Sequence, residues 1–170
     1  MPFVYLAVIA LAYIGDRLVK NWAAGALVTE HGGSLPLIDG VFHFTYCENR
    51  GAAFSMLQGK QGLLITITVF ISLAAVYFLF FSRRKLPVFP SIAIALALGG
   101  ALGNLYDRVV LGYVIDMMDF CLIHFAVFNV ADSCMVVGVL LYCVWVLFVE
   151  GKKQSRVKVA AEKGEDGRDL

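Results

Sequence analysis

The sequence predicts an all-α membrane protein with four transmembrane helices and a small β element in the outer loop between helices 1 and 2. Of its 170 residues, 60% are hydrophobic and only 16% are charged, whereas soluble domains carry about 25% charged residues. Long apolar runs approach the roughly 20 residues that cross a hydrocarbon layer. Nucleic-acid binding is not expected, because basic residues form no stripe outside the loops and the tail.

Four spans follow from the apolar runs: 2–27, 62–82, 86–106 and 128–149. The second and third contain no charged residue, and the fourth contains only Asp132. Pro87 and Pro90 fall in the predicted first turn of the third span. A missing N–H costs little at that position of a helix.

The first span is the least regular, because Asp16, Arg17 and Lys20 interrupt it. Asp16 and Lys20 are four residues apart, so they share a helical face and can pair while turned inward. A secretory signal peptide would carry its positive charges before the apolar core, but residues 1–15 have none. We therefore expect this segment to span the membrane.

Basic residues orient the chain. Arg83, Arg84 and Lys85 lie between spans 2 and 3, and Lys152 and Lys153 follow span 4. The positive-inside rule places both clusters in the cytoplasm, so both termini are expected inside and the two longer loops outside. Residues 1–150 are expected to form a single membrane-embedded domain. The tail at 151–170 is expected to be cytoplasmic and disordered, because it is rich in Lys, Glu and Gly without aromatic residues.

The first outer loop contains a strand signal. Residues 41–46 read VFHFTY and follow Asp39-Gly40. A β-branched and aromatic run after such a turn pair favours a strand. We expect a small β element here, lying on the membrane surface.

Carboxylates at the edges of apolar runs are the most informative residues. Each costs roughly 2.5–3.5 kcal/mol on insertion scales, so a chain that keeps several is expected to use them. Asp116 and Asp132 form a possible pair that shares one proton, an arrangement that hydrolyses an amide without metal or covalent intermediate.

Structural roles remain open for the same residues. Asn104, Asp107 and Arg108 share a helical face, and Asp107 with Arg108 are alternatively an ordinary interfacial ion pair. Asp132 or Asn129 is alternatively a cap of the fourth helix, since a carboxylate or amide near a helix start accepts free N–H groups.

Competing chemistries have little support. The three histidines, His31, His43 and His124, lack ligand spacing, so a metal site is not expected. No serine lies in a G-x-S-x-G context. The sequence therefore implies neither a metal nor a cofactor.

Four blocks in order resemble the lipoprotein signal peptidase family, the type II signal peptidases of bacteria: DRLVK (16–20), ENRGAAFS (48–55), GNLYDRVVLGYVID (103–116) and FNVADS (128–133). The resemblance implies an aspartic endopeptidase of the bacterial inner membrane with its active site near the outer face. Such an enzyme removes signal peptides from diacylglyceryl-modified prolipoproteins, cutting before the lipid-bearing Cys. Met117 departs from the pattern, where a Phe is expected, but Met is adaptable.

The resemblance also assigns residues and partners. It implies that Asp116 and Asp132 are catalytic and that eight residues support the site or bind substrate: Asp16, Lys20, Asn49, Gly51, Asn104, Asp107, Arg108 and Asn129. Of these, Asn49 and Arg108 are expected to hold the substrate backbone. The implied partners are a lipidated prolipoprotein, membrane lipids and globomycin-type inhibitors, and a monomer is expected.

Two rival functions use the same charges. A small proton-coupled transporter or channel would need Asp16, Lys20, Asp107 and Asp132 as a polar path across the membrane, although no inverted repeat supports it. A structural subunit would use them to bridge partner helices. A peptidase should gather its polar residues at one depth, whereas a transporter should distribute them.

Overall fold

The chain is built on four apolar helices. The computed structural model describes residues 2–52, 56–82 and 86–150. Within these, four helices are long and apolar enough to cross a membrane: α1 (Pro2–His31), α2 (Gln61–Phe81), α3 (Val88–Val110) and α4 (Val130–Val149). The predicted fold class is confirmed, and the protein is a multi-pass membrane protein. The first helix runs four residues beyond its predicted end and includes a π-helical segment, Ala23–Leu27.

Helix α3 lies at the centre of the bundle and contacts the other three helices. Half of its apolar 18-residue stretch is buried inside the protein, compared with 6% of the corresponding stretch of α4. Pro90 lies in its first turn, as the sequence predicts, whereas Pro87 is the residue just before the helix begins. The outward faces of α2 and α4 carry exposed apolar side chains such as Phe70 and Leu140, which suits a lipid environment.

Glycines let α3 and α4 approach closely. A Cβ at Gly100 would lie 2.3 Å from the Ala131 carbonyl oxygen, and one at Gly138 would lie 2.6 Å from that of Ala93. Helices in lipid associate through close packing rather than through a hydrophobic driving force, so small residues at the contact are favourable. This contact fixes the first turn of α4, which carries Asp132, against α3.

A three-stranded antiparallel sheet lies at one end of the bundle: β1 (Ser34–Ile38), β2 (Phe42–Asn49) and β3 (Val114–Asp119), in that order. The β element predicted at residues 41–46 lies in β2 apart from Val41, and β1 is its hairpin partner. Gly40 in the turn between them has a φ of 67°, a conformation that glycine adopts without strain. The third strand comes from the segment between α3 and α4 and was not predicted. Asp116 therefore lies on a strand, with Cys47 as its partner on β2.

The sheet is fixed to both α1 and α4. Ile115 and Met117 pack with Ala23 and Leu27 of α1. Side chains alternate along a strand, so Asp116 points to the opposite face. The N–H groups of Met117 and Met118 donate to the carbonyl oxygen of Phe128, at 3.0 and 2.8 Å, which brings β3 to the start of α4.

Some predictions fall outside the described residues. The basic loop at residues 83–85 and the tail at 151–170 both lie there, so the membrane orientation and the disordered tail remain predictions.

The α3–α4 contact gives a testable prediction. Gly100→Ala should lower the free energy of unfolding by about 1–3 kcal/mol, because the added methyl overpacks the contact. Displacement of the α4 start should also reduce turnover, by roughly 100-fold for a shift near 1 Å. Gly15→Ala is the matched control, since a Cβ there meets nothing within 4 Å. Normal stability and turnover in Gly100→Ala would show that the close contact is not required.

Candidate active site

A buried lysine is the centre of the polar cluster. The Lys20 ammonium lies 2.8 Å from Asp16 Oδ2 and 2.9 Å from Asp107 Oδ2, and it donates to Asn104 Oδ1 at 2.8 Å. Lys20 and both aspartates are fully buried. The predicted pairing of Asp16 with Lys20 is confirmed. The ammonium therefore contacts two carboxylates and one amide oxygen.

Asp107 binds α1 rather than its neighbour on α3. Its carboxylate pairs with Arg17 and with Lys20 and accepts the N–H of Ile115 at 3.3 Å. The alternative interpretation as an Asp107–Arg108 ion pair is wrong. Adjacent helix residues point about 100° apart, and Arg108 instead donates to the carbonyl oxygens of Asn104 and Gly51, at 3.4 and 3.3 Å.

Asn129 and Asp132 form a reciprocal cap at the start of α4. The N–H of Asp132 donates to Asn129 Oδ1 at 2.9 Å, and the N–H of Asn129 donates to Asp132 Oδ2 at 3.2 Å. The capping interpretation is therefore correct for both residues. It does not exclude a functional role, because the cap also orients the Asn129 amide.

That orientation directs Asn129 at Asp116. Since its Oδ1 accepts a backbone N–H, its Nδ2 faces the other way and donates to Asp116 Oδ1 at 2.6 Å. The same Nδ2 also donates to Asn104 Oδ1 at 3.1 Å. The Asp116 carboxylate thus accepts from the side-chain amide of Asn129, and the Asp132 carboxylate accepts from its backbone N–H. The structure therefore brings together the two carboxylates that the sequence singled out.

Two further asparagines complete the arrangement. Asn104 Nδ2 donates to Asp132 Oδ1 at 2.7 Å, and its own oxygen is held by Lys20. Asn49 Nδ2 donates to Asp116 Oδ2 at 3.0 Å, and its own oxygen accepts the N–H of Gly51 at 2.9 Å. Each amide orientation is fixed by a group that can only donate. Every oxygen of the two carboxylates therefore accepts a hydrogen bond.

The environment of Asp116 favours its protonated form. Asp116 is 1% exposed, and burial, followed by the charge of Asp132, raises the pKa of its carboxyl to about 7. Hydrogen bonds from Asn49 and Asn129 act in the opposite direction. A shared proton is the expected behaviour of two carboxylates in one buried site.

Charges in the described cluster come close to balance. Four carboxylates, those of Asp16, Asp107, Asp116 and Asp132, lie with three cations, those of Arg17, Lys20 and Arg108. One added proton makes the cluster neutral, which lowers the cost of burial. The buried Nε of Arg108 has no partner within the described part of the chain, so this group retains a free donor near the pair.

All ten sequence-predicted site residues gather at one end of the bundle, beside the sheet. Sequence reasoning missed Arg17, which pairs with Asp107 and lies over the ring of Tyr106 at 4.7 Å. The only available signal was its place in the DRLVK block. Among the described residues, no three His, Cys, Asp or Glu side chains are grouped to hold a metal ion.

Comparisons with known proteins find relatives that match most of the chain. The lipoprotein signal peptidase of Clostridioides difficile is 43% identical over 150 residues, covering 88% of this chain and 99% of that protein. That of Caldanaerobacter subterraneus subsp. tengcongensis is 44% identical over 148 residues, covering 86% and 97%. A solved structure described as a bacterial membrane enzyme studied by the in meso method matches with a TM-score of 0.77 at 34% identity, covering 85% of this chain and 87% of that one.

A family model described as signal peptidase (SPase) II matches residues 8–148, which is most of the chain. The four sequence blocks, the four helices and the close relatives thus lead to one assignment: the chain belongs to the signal peptidase II family.

Proposed function

We propose that this protein is an aspartic endopeptidase that removes the signal peptide from diacylglyceryl-modified prolipoproteins, cutting before the lipid-bearing Cys. The relatives named lipoprotein signal peptidase support the substrate class. The observation that supports the mechanism is that both carboxylates accept hydrogen bonds from Asn129, Asp116 from its side-chain amide and Asp132 from its backbone N–H. We infer that the two carboxylates share one proton. No cofactor is needed for this chemistry.

Asp132 is the member of the pair that stays charged. It lies in the first turn of α4 and accepts the backbone N–H of Asn129. A helix N-terminus stabilises negative charge through its free N–H groups and its dipole. Asp116 lies on β3 rather than in the first turn of the helix, accepts hydrogen bonds from the side-chain amides of Asn49 and Asn129, and carries the proton.

The reaction then follows in two steps, each with two proton transfers. Asp132 takes a proton from a water molecule while the oxygen of that water attacks the scissile carbonyl carbon. In the same step, Asp116 gives its proton to the carbonyl oxygen. The resulting tetrahedral diol collapses when Asp116 takes a hydroxyl proton back and Asp132 delivers its proton to the leaving amide nitrogen. The C–N bond breaks, no covalent enzyme intermediate forms, and the pair returns to its starting state.

Asn49, Gly51 and Arg108 lie where an extended substrate would have to bind. Asn49 is half-buried and bonds Asp116, and Arg108 reaches the Gly51 carbonyl oxygen. An extended peptide near hydrocarbon needs partners for its backbone groups, and the free Nε of Arg108 offers a donor to a substrate carbonyl. Globomycin-type inhibitors would occupy the same place. Asp16, Lys20 and Asp107 support the site without reacting.

The site is proposed to face the outer side of the bacterial inner membrane, with both termini in the cytoplasm. The sheet and the site lie at the same end of the bundle as the two longer loops. The positive-inside rule puts that end outside, opposite the basic loop at residues 83–85. Exposed apolar helix faces contact membrane lipids and give a lipidated precursor lateral access to a monomer.

The transporter alternative is not favoured by the placement of charges. A polar path would need ionisable groups along the length of the bundle. In the described residues the buried charges instead meet in one cluster, where α1, α3 and α4 converge with β3. The structural-subunit alternative is not favoured either, because none of the charged side chains in this cluster is exposed for contact with a partner helix.

Substitution of the pair tests the proposal. Asp116→Asn and Asp132→Asn should each reduce cleavage of a lipidated precursor by roughly 10²–10⁴-fold or more. The double variant should be little worse, because both groups act in one step. Asp119→Asn is the matched control, since Asp119 is a half-buried carboxylate on the same strand whose Oδ2 accepts a hydrogen bond from Thr45. Near-normal cleavage by Asp116→Asn together with loss in Asp107→Asn would reassign the pair.

Cleavage should also depend on pH with a bell-shaped profile. As the pH rises through the Asp116 pKa of about 7, the acid is lost and kcat/KM should fall. At the acidic end it should fall when Asp132 takes up a second proton. Measured rates across the range, with folding checked by thermal melting at each pH, would show both limbs. A rate that continues to rise well above neutral pH would contradict the role of Asp116 as proton donor.

A further inference from the structure

Arg17 makes a contact that the mechanism above does not use. Its Nη1 donates to Asp107 Oδ1, and its side chain is only 14% exposed. Its guanidinium lies over the Tyr106 ring at 4.7 Å from the centroid, and Nη2 is 3.5 Å from Asn21 Oδ1. A planar guanidinium held by a carboxylate and an aromatic face is well fixed.

A second cation is needed because Lys20 serves two carboxylates. Its ammonium lies 2.8 Å from Asp16 and 2.9 Å from Asp107 and donates to Asn104. Because it carries a single positive charge, it neutralises only one of the two aspartates. Without Arg17 the buried group of Asp16, Lys20 and Asp107 would carry a net negative charge. Asp107 would then compete with Asn104 for the ammonium.

Two short routes lead from Asp107 to the catalytic pair. In one, Asp107 Oδ2 accepts the N–H of Ile115, the residue before Asp116. In the other, Lys20 holds Asn104, whose Nδ2 donates to Asp132 at 2.7 Å. A change of charge at Asp107 therefore reaches both members of the pair.

We propose that Arg17 is a positioning residue that balances Asp107, keeps Lys20 bound to Asn104, and sets the pH range in which the pair cleaves. This inference rests on the proposed function. The charged groups that face the cluster are Asp16, Arg17 and Lys20 from α1, Asp107 and Arg108 from α3, Asp116 from β3 and Asp132 from α4, with the thiol of Cys47 on β2 as a further titratable neighbour.

The test is the pH profile of kcat/KM for lipidated-precursor cleavage by the full-length protein. Arg17→Gln removes a positive charge, so both limbs should move to higher pH, by roughly one pH unit. Arg17→Lys keeps the charge and should keep both limbs near their normal positions. Tyr106→Leu removes the stacking partner but no charge, and it should leave the limbs in place even if the thermal midpoint falls.

Asp107→Asn supplies a change of opposite sign that does not depend on the folding of Arg17→Gln. It removes a negative charge, so both limbs should move to lower pH. Unmoved limbs in an active Arg17→Gln or Asp107→Asn enzyme would overturn the inference and leave Arg17 a purely structural residue. Failure of the proposed function is a separate result, since it would appear as retained cleavage in Asp132→Asn.

Discussion

The hydrogen bonds of three buried or half-buried asparagines determine the geometry of the site. Each of Asn49, Asn104 and Asn129 has its side-chain oxygen held by a group that can only donate, which turns its amide nitrogen toward a carboxylate. The donors come from the segment that follows β2, from α1 and from the first turn of α4. Correct docking of these elements is therefore a condition for holding Asp116 and Asp132 in place before substrate binds, and such preorganisation is a large part of enzymatic catalysis.

Burial of so many charges is not explained by stability. A buried ion pair often contributes no more than a well-packed apolar pair, whereas removal of one partner is costly. Lys20, Asp16 and Asp107 are fully buried. Apolar side chains at these positions of a membrane protein would have a lower free-energy cost of burial. The retention of the charged residues is understandable if the cluster holds Asn104 and, through it, Asp132.

Local spacing predicted some of this correctly. The four helices followed from apolar runs, the Asp16–Lys20 pair from a separation of four residues, and the Asn129–Asp132 cap from a separation of three. The catalytic assignment came from the resemblance and remains a proposal, although the structure places both aspartates on one asparagine.

What escaped prediction depends on tertiary contacts. Strand β3 forms because Val114–Asp119 pairs with β2, about 70 residues earlier in the chain, so an isolated reading of its sequence gave no strand. The partner of Asp107 was misjudged because Arg108 is adjacent in sequence but points elsewhere, while Arg17 approaches from another helix. Long-range pairs of this kind have no periodic signal.

The proposed mechanism depends above all on a proton held by Asp116 in the resting enzyme. Infrared difference spectroscopy of the carboxylic-acid carbonyl stretch measures this directly, without substrate. A proton on Asp116 should give a band of a buried protonated carboxyl that disappears with a midpoint near pH 7, that is missing in Asp116→Asn, and that persists in Asp119→Asn. The same band, with the same midpoint, in Asp116→Asn would contradict it.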